Sequence, residues 1–144
     1  MSVPVRIRRL RPDVPLPRYQ TPAAAGFDLA ASEEIVVGPG EIKLVPTGLV
    51  IEVPEGYCLA IVARSSTPLR RGLMMPNAVG IVDADYAGPE DEILIEVYNF
   101  TAAPVRIAPG DRIAQGLLVP VARAEWREEA ELKPVSRGGF GSTG

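Results

Sequence analysis

The sequence has 144 residues, a formal net charge of −3 at pH 7, 47% hydrophobic residues and 23% charged residues. This length predicts a single domain, and this composition is ordinary for a globular protein. No long basic run is present, so no nucleic-acid partner is expected, and no apolar run approaches the ~18–20 residues of a membrane span. Cys58 is the one cysteine, so no internal disulfide can form and a cytoplasmic location is expected.

Histidine is absent from the sequence. Catalytic triads that use histidine and metal sites with histidine ligands are therefore excluded, and a lone cysteine cannot build a structural zinc site. If the protein is an enzyme, its general base is expected to be a carboxylate. A bound metal would then be a hard cation held by oxygen atoms.

Glycine and proline interrupt nearly every ten residues, which leaves little room for long helices. Residues 23–32 are expected to be extended because Pro22 and Gly26 disfavour a helix there. Residues 65–72 begin with a helix-capping serine and an early proline and end in glycine, which predicts one or two helical turns. The apolar runs between breaks predict an all-β sandwich or barrel, with strands at residues 3–7, 35–37, 41–45, 48–53, 57–62, 79–82, 93–100, 105–107 and 113–121.

Residues 77–100 predict a hairpin with a strand, a tight polar turn and a return strand. Asp83 and Asp85 follow the first strand, and two residues that are two apart on an extended chain point the same way. A carboxylate at the end of a buried strand, next to glycines, is a common layout for an active site. A solvated acidic turn is the alternative.

The segment Arg64, Ser65 and Ser66 follows an apolar strand at the start of the predicted helical turn. A guanidinium group and two hydroxyls in that place predict a phosphate site, and a helix cap beside a solvated arginine is the alternative. Gln115 is polar on an otherwise apolar strand. It either faces a ligand or lies on the outer face of the sheet.

The last seven residues include four glycines. Their N–H groups can wrap an anion, Ser142 and Thr143 add hydroxyl donors, and Phe140 can stack on a nucleobase. The segment is not a Walker A loop, because the Gly-Lys-Ser/Thr ending is missing. A disordered terminus is the alternative.

Five segments match the motifs of one known family in kind, order and spacing over nearly the whole chain. On these motifs the chain resembles the trimeric dUTP nucleotidohydrolases (dUTPases) of the dUTPase and dCTP deaminase superfamily. The segments are residues 25–29 (Ala-Gly-Phe-Asp-Leu), 63–66 (Ala-Arg-Ser-Ser) with Gly72-Leu73, 77–99, 110–115 (Gly-Asp-Arg-Ile-Ala-Gln) and 138–144 (Gly-Gly-Phe-Gly-Ser-Thr-Gly).

The resemblance implies a distorted β jelly roll at residues 1–134, with at most one short helix, and a flexible glycine-rich tail at residues 135–144 that closes over the nucleotide. It implies a homotrimer with active sites shared between chains. The implied reaction is water attack on the α-phosphorus of dUTP, which gives dUMP and pyrophosphate, lowers dUTP and supplies dUMP for thymidylate synthesis.

The resemblance also implies a role for each matching residue. Asp83 would orient and deprotonate the attacking water. Mg²⁺ would bind through the substrate phosphates without a direct protein ligand, and Asp28 would contact the water shell of the ion. The implied substrate contacts are Asn77 and the main chain of Ile81 and Val82 on uracil, Tyr86 under deoxyribose, Arg64, Ser65, Ser66 and Gln115 on the phosphates, and Arg137, Phe140, Gly141, Ser142 and Thr143 from the tail.

Three features depart from the family pattern. Val135 stands where an arginine is usual, five residues before Phe140, and Arg137 lies only three residues before it. The turn at residues 88–92 is a few residues longer than usual. The third departure is Glu96, which is uncommon for dUTPases at its place.

Glu96 leaves dCTP deamination as an alternative function. The dCTP deaminases, including bifunctional deaminase–dUTPases, share the fold and carry a catalytic glutamate three residues before an asparagine, as Glu96 stands before Asn99. The alternative is a glutamate that faces solvent on an alternating strand. A trimeric binding jelly roll without activity is a further alternative, and it predicts damage to the carboxylate at Asp83, which is present.

Overall fold

The computed structural model describes residues 1–144, and nearly all of its regular structure is β-strand. The all-β prediction is confirmed, although the first strand begins later than predicted and one two-residue strand, β7, is not predicted. No helix has the length and apolar character needed to cross a membrane. The elements are β1 Arg6–Arg9, β2 Phe27–Ala30, β3 Ile35–Val37, β4 Ile42–Pro46, β5 Leu49–Glu52, β6 Tyr57–Ala63, α1 Ser66–Arg71, β7 Leu73–Met74, β8 Gly80–Val82, β9 Leu94–Asn99, β10 Val105–Ile107 and β11 Arg112–Pro120.

All strand pairs are antiparallel. The largest sheet has the order β2-β11-β6-β8, and the second has the order β4-β9-β7. Two further pairs, β1 with β5 and β3 with β10, complete the arrangement. The long strands β6 and β11 pair from Ala63 with Ala114 to Tyr57 with Pro120. They therefore form the centre of the largest sheet, and every element of the candidate site is placed relative to them.

The core forms where the alternating apolar side chains of the sheets meet. In β9, Ile95 and Val97 are fully buried, whereas Leu94 is exposed and Glu96 is half-buried. This alternation is expected for a strand with one face on the core. Burial of a leucine or isoleucine side chain stabilises the fold by about 1.5–3 kcal/mol. The buried set therefore determines which face of each strand points inward.

The short helix confirms the prediction at residues 65–72. It ends at Gly72, which has φ 66° and whose N–H donates to the Pro68 carbonyl at 3.3 Å. Thr67 is buried and donates its hydroxyl to the Ile113 carbonyl at 2.8 Å, which attaches the helix to β11. The side chain of Ser65 makes no capping hydrogen bond. Its hydroxyl is therefore not used by the helix.

The predicted hairpin at residues 77–100 is wrong. Strand β8 pairs with β6, whereas β9 pairs with β4 and β7, so the two strands lie in different sheets. The connection at residues 83–93 is longer than the about 2–5 residues of a hairpin loop. Ile93 is buried at its end, with its N–H bonded to the Leu49 carbonyl at 2.8 Å. This burial directs the chain into the second sheet.

Candidate active site

A carboxylate and two arginines meet at one end of the largest sheet. Asp28 in β2 lies opposite Gln115 in β11, and its side chain is only 11% exposed. Its carboxylate lies 3.0 Å from Arg64 Nε and 3.1 Å from Arg112 Nη1. Arg64 also donates to the Arg112 main-chain carbonyl at 3.2 Å. Two guanidinium groups on one carboxylate leave a net positive charge, which suits a phosphate.

The other predicted phosphate-binding residues lie at the same end of the sheet. Ser65 and Ser66 directly follow the arginine at the end of β6. The Gln115 side-chain amide donates to the Ala63 carbonyl at 3.3 Å. A β-carbon on Gly26 would lie 2.8 Å from Gln115 Oε1, so glycine permits the close approach of β2. We call the cluster of Asp28, Arg64, Ser65, Ser66, Arg112 and Gln115 the phosphate cradle.

A second ion pair holds α1 against the turn that precedes β11. Arg71 Nη1 lies 2.9 Å from Asp111 Oδ2, and the same carboxylate accepts the Ala108 N–H at 2.9 Å. Partial burial by itself would raise the pKa of Asp111. The bonds from the Ala108 N–H and the Arg71 guanidinium outweigh that effect and hold the pKa below its ordinary value. The carboxylate that holds this turn is therefore ionised at neutral pH.

Strand β8 and the turn before it form a second group. This strand is the last in its sheet, so one of its edges carries main-chain groups without strand partners. Ile81 is 58% exposed, whereas Val82 is buried. Asn77 reaches back to the strand, since its Nδ2 would lie 3.5 Å from a β-carbon on Gly80. A free strand edge beside an amide can match the donors and acceptors of a pyrimidine ring.

The turn before β8 is strained. Ala78 has φ 60°, and the Val79 N–H donates to the Asn77 carbonyl at 2.7 Å, which closes a three-residue turn. A residue other than glycine in this left-handed region costs of the order of 1–3 kcal/mol, and such residues concentrate at functional sites. The strained turn holds the Asn77 amide at the edge of β8.

Asp83 is exposed and follows β8 directly. Its carbonyl accepts the Tyr86 N–H at 3.2 Å, so a tight turn sets the tyrosine beside the carboxylate. The Tyr86 hydroxyl donates to the Glu92 carbonyl at 2.9 Å. Asp85 lies within the turn and not on an extended strand. The prediction that it points the same way as Asp83 was based on an extended chain and does not apply. We call Asn77, Ile81, Val82, Asp83 and Tyr86 the base-and-sugar group.

Asp83 of the base-and-sugar group and Arg64 of the phosphate cradle lie at opposite ends of β6. Val82 pairs with Leu59, so Asp83 lies beyond Leu59 in the direction of Tyr57. Arg64 follows the other end of the strand. At about 3.3 Å per residue, the five steps from Leu59 to Arg64 cover roughly 16 Å. A single chain therefore does not bring Asp83 and Arg64 together.

The tail lies apart from both groups. Residues 121–144 are exposed throughout and form no strand or helix. Phe140 is fully exposed, and the hydrogen bond from the Gly138 N–H to the Ser136 hydroxyl stays within the tail. Arg137, Gly141, Ser142 and Thr143 are also exposed. Within one chain the predicted tail contacts are thus not assembled with the other site residues.

Glu96 lies on the outward face of the three-stranded sheet, opposite Leu44. Its chain neighbours Ile95 and Val97 are buried, so alternation turns the carboxylate away from the core. Asp83, by contrast, follows a strand of the other sheet. Glu96 therefore stands as an outward-facing side chain on an alternating strand.

No group of three or more aspartate, glutamate or cysteine side chains is arranged to hold a metal ion. The carboxylate in the phosphate cradle, Asp28, is already bonded to two arginines. A carboxylate has about four lone-pair sites, so Asp28 can still accept bonds from water. A hard cation at this place would take most of its ligands from water or from a bound phosphate chain.

Comparisons with known proteins give a consistent result. The dUTPase family model matches residues 13–144. The deoxyuridine 5'-triphosphate nucleotidohydrolase of Thermobifida fusca (strain YX) is 48% identical over 146 residues, which cover 99% of this chain and 80% of that relative. The enzyme of the same name from Anaeromyxobacter sp. (strain Fw109-5) is 45% identical over 149 residues, which cover 100% of this chain and 99% of the relative.

Solved structures agree with these relatives. The crystal structure of dUTPase from Streptococcus mutans matches with a TM-score of 0.77 and 33% identity, over 83% of this chain and 98% of the other. A dUTPase variant from phage phi11 of S. aureus, solved with the coordination of a structural Mg(II) ion, matches with a TM-score of 0.81 over 90% of this chain and 98% of that one. At 22% identity this second match shows the fold alone. The predicted jelly roll is confirmed.

Proposed function

The chain belongs to the dUTPase family and hydrolyses dUTP to dUMP, and we propose the following roles for its residues in that reaction. Asp83 activates the attacking water, and the phosphate cradle binds the triphosphate. The observation that carries this proposal is the positive cluster of Arg64 and Arg112 on the partly buried Asp28 carboxylate. This cluster can bind an anion. The same fold carries the exposed carboxylate of Asp83 at the end of β8.

In the proposed reaction, water attacks the α-phosphorus and the bond to the bridging oxygen of the pyrophosphate breaks. Asp83 takes the proton from the water as the new P–O bond forms. A general base contributes about 10²–10⁴-fold to the rate. Alignment of the water with the phosphorus and stabilisation of the leaving pyrophosphate supply most of the remaining acceleration.

Uracil is recognised at the edge of β8. The main chain of Ile81 and Val82 and the Asn77 amide pair with the polar edge of the ring. A cytosine would leave buried donors or acceptors unmatched, at a cost of about 1–3 kcal/mol for each group. Tyr86 lies under the deoxyribose and leaves no room for a ribose 2'-hydroxyl. The exposed ring and the free strand edge support this arrangement.

The phosphates bind to Arg64, Ser65, Ser66 and Gln115. The unused capping hydroxyl of Ser65 supports its assignment as a donor to phosphate. A bound Mg²⁺ would supply positive charge that neutralises the triphosphate. Asp28 would contact its water shell with the lone pairs that its two arginines leave free. Arg112 belongs to the same cluster and adds positive charge at the same place.

A homotrimer with shared sites completes this arrangement. The separation of Asp83 from Arg64 within one chain supports it, because a general base must lie within hydrogen-bond reach of the water that it activates. The outward face of β4, β7 and β9 also supports it, because its apolar side chains are exposed in one chain. Contiguous patches of this kind mark interaction surfaces. The residues are Ile42, Leu44, Met74 and Leu94, with exposed fractions of 55%, 54%, 42% and 39%.

The tail closes the site from another chain. Trp126 is 90% exposed, and no residue after Val121 forms a hydrogen bond with the preceding part of the chain. A segment of this kind can dock on a neighbouring chain. Phe140 stacks on uracil, while Arg137 and the backbone and hydroxyls of residues 141–143 bind the terminal phosphate. Exclusion of water strengthens these contacts.

The experiment that tests this function is a product assay with Mg²⁺ across dUTP, dCTP, dTTP and UTP. We expect dUMP and pyrophosphate from dUTP, and neither a uracil nucleotide nor ammonia from dCTP. Ammonia release from dCTP would transfer the assignment to a deaminase with Glu96 as its catalytic group. The similarity to deoxyuridine 5'-triphosphate nucleotidohydrolases over the whole chain favours the dUTPase result. A cytoplasmic setting is part of the proposal, since the lone Cys58 fits a reducing compartment.

A further inference from the structure

The hydroxyl of Tyr86 is held by the main chain of Glu92. It donates to the Glu92 carbonyl at 2.9 Å. The Glu92 carboxylate in turn accepts the Gly48 N–H at 2.7 Å, so the turn between β4 and β5 anchors the residue that holds the tyrosine. A line of hydrogen bonds therefore runs from this turn through one glutamate to the aromatic ring.

Both ends of this line are rigid. Ile93, next in the chain, is buried, and its carbonyl accepts the buried Thr47 hydroxyl at 2.6 Å. Gly48 has φ 70°, and a β-carbon there would lie 2.6 Å from Val14 Cγ2. Gly48 is therefore packed closely against Val14, which holds this turn in place. The Glu92 carbonyl is thus fixed by its own side chain and by its buried neighbour.

We propose that Glu92 is a positioning residue that sets the sugar specificity of the site through Tyr86. The proposal rests on the proposed function, in which the tyrosine ring lies under the deoxyribose. Tyr86 is 38% exposed and its ring turns about two side-chain torsions, so packing alone does not hold it. Exclusion of a 2'-hydroxyl requires a ring that does not yield. The bond to the Glu92 carbonyl supplies that restraint.

The longer turn at residues 88–92 serves this restraint. Asp91 Oδ2 accepts the Gly88 N–H at 2.7 Å, which closes the turn on itself. The Glu92 N–H bonds to the Glu90 carbonyl at 2.9 Å, so the last residue of the turn is held in place. The Glu90 side chain is exposed and takes part in no hydrogen bond or ion pair. It offers a matched control in the same turn.

The test compares kcat/KM for dUTP and for UTP in the full-length protein and four variants. Glu92→Ala and Tyr86→Phe are each expected to lower the dUTP-to-UTP ratio by about 3–10-fold, the size of one lost hydrogen bond. For Glu92→Ala the loss on dUTP appears mainly in KM. Glu92→Gln keeps the ratio near that of the wild type, since its amide oxygen also accepts the Gly48 N–H. Glu90→Ala leaves the ratio unchanged.

A double variant, Glu92→Ala with Tyr86→Phe, supports the proposal if its ratio equals that of either single variant, because both changes break one line of bonds. An unchanged ratio in Glu92→Ala, whatever its thermal stability, overturns the proposal. Additive losses in the double variant overturn it as well. If the proposed function itself is wrong, the wild type shows no preference for dUTP over UTP, and this result is distinct from the outcomes above.

Discussion

Asp83 and Arg64 lie at opposite ends of the paired strands β6 and β8. The register places Val82 opposite Leu59, so the carboxylate follows one end of the pair and the guanidinium follows the other. In the proposed mechanism the two groups serve one reaction, in which Asp83 activates water at a phosphorus bound by the cradle. Their separation within one chain supports the proposal that the reactive arrangement forms between chains.

Asp83→Asn is expected to lower kcat at least ~10²-fold while the variant still binds dUTP, because the amide cannot take the proton from water. Steady-state kinetics and a binding titration with a non-hydrolysable dUTP analogue measure the two effects. Asp85→Asn is the control, since Asp85 is exposed in the same turn and should leave kcat near the wild-type value. Near-normal turnover in Asp83→Asn would remove Asp83 from the mechanism.

Deletion of residues 137–144 should leave the fold and the proposed trimer intact and strongly depress activity. This segment makes no contact with the core of its own chain, so its removal exposes no buried surface. Size-exclusion chromatography and circular dichroism check the assembly, and the product assay checks activity. A truncated chain that fails to fold would show that the tail is structural.

Asp111→Asn is expected to reduce stability at neutral pH much more than in acid. The pKa of Asp111 is lowered in the folded protein, so its ionised form stabilises the fold above the unfolded pKa near 3.9, and that stabilisation is lost as pH falls through the folded pKa. A charged hydrogen bond is worth about 1–3 kcal/mol, and we expect a loss of that size at pH 7.

Chemical denaturation at pH 7 and pH 3, at one fixed protein concentration, measures this difference. Glu34→Gln is the control, because the Glu34 pair with Arg106 lies in water and exposed pairs contribute little. An equal loss of stability in Asp111→Asn at both pH values would contradict the role given to the ionised carboxylate.

The strands and the motif residues were predictable because their signals are local. The alternation in β9 shows in five or six consecutive residues, and Gly72 ends the helix through its own backbone conformation. The pairing of β8 with β6 is a tertiary feature and cannot be read from the turn at residues 83–93. The local pattern predicts a hairpin there. Instead, Ile93 is buried and the chain continues into β9, which pairs with β4 in the other sheet.

Within the candidate site, residue types were predictable and their partners were not. Arg112 lies inside the matched segment at residues 110–115, but its contact with Asp28 depends on the register of β2 against β11. The Glu92 carboxylate meets a main-chain N–H far away in sequence. The spacing of residues along the chain does not predict such a contact, because it depends on the pairing of β4 with β9, which brings the turn after β4 beside the residues before β9.

A complementation assay tests directly whether each active site is built between chains. Asp83→Asn and Arg64→Ala chains are purified separately, shown to be inactive, then mixed in equal amounts, unfolded and refolded together. If each site takes Asp83 from one chain and Arg64 from another, random mixed trimers regain about one quarter of the wild-type sites. Refolding of either variant alone is the control. Recovery of dUTP hydrolysis near that level is the predicted result, and a mixture no more active than its components would contradict a site built between chains.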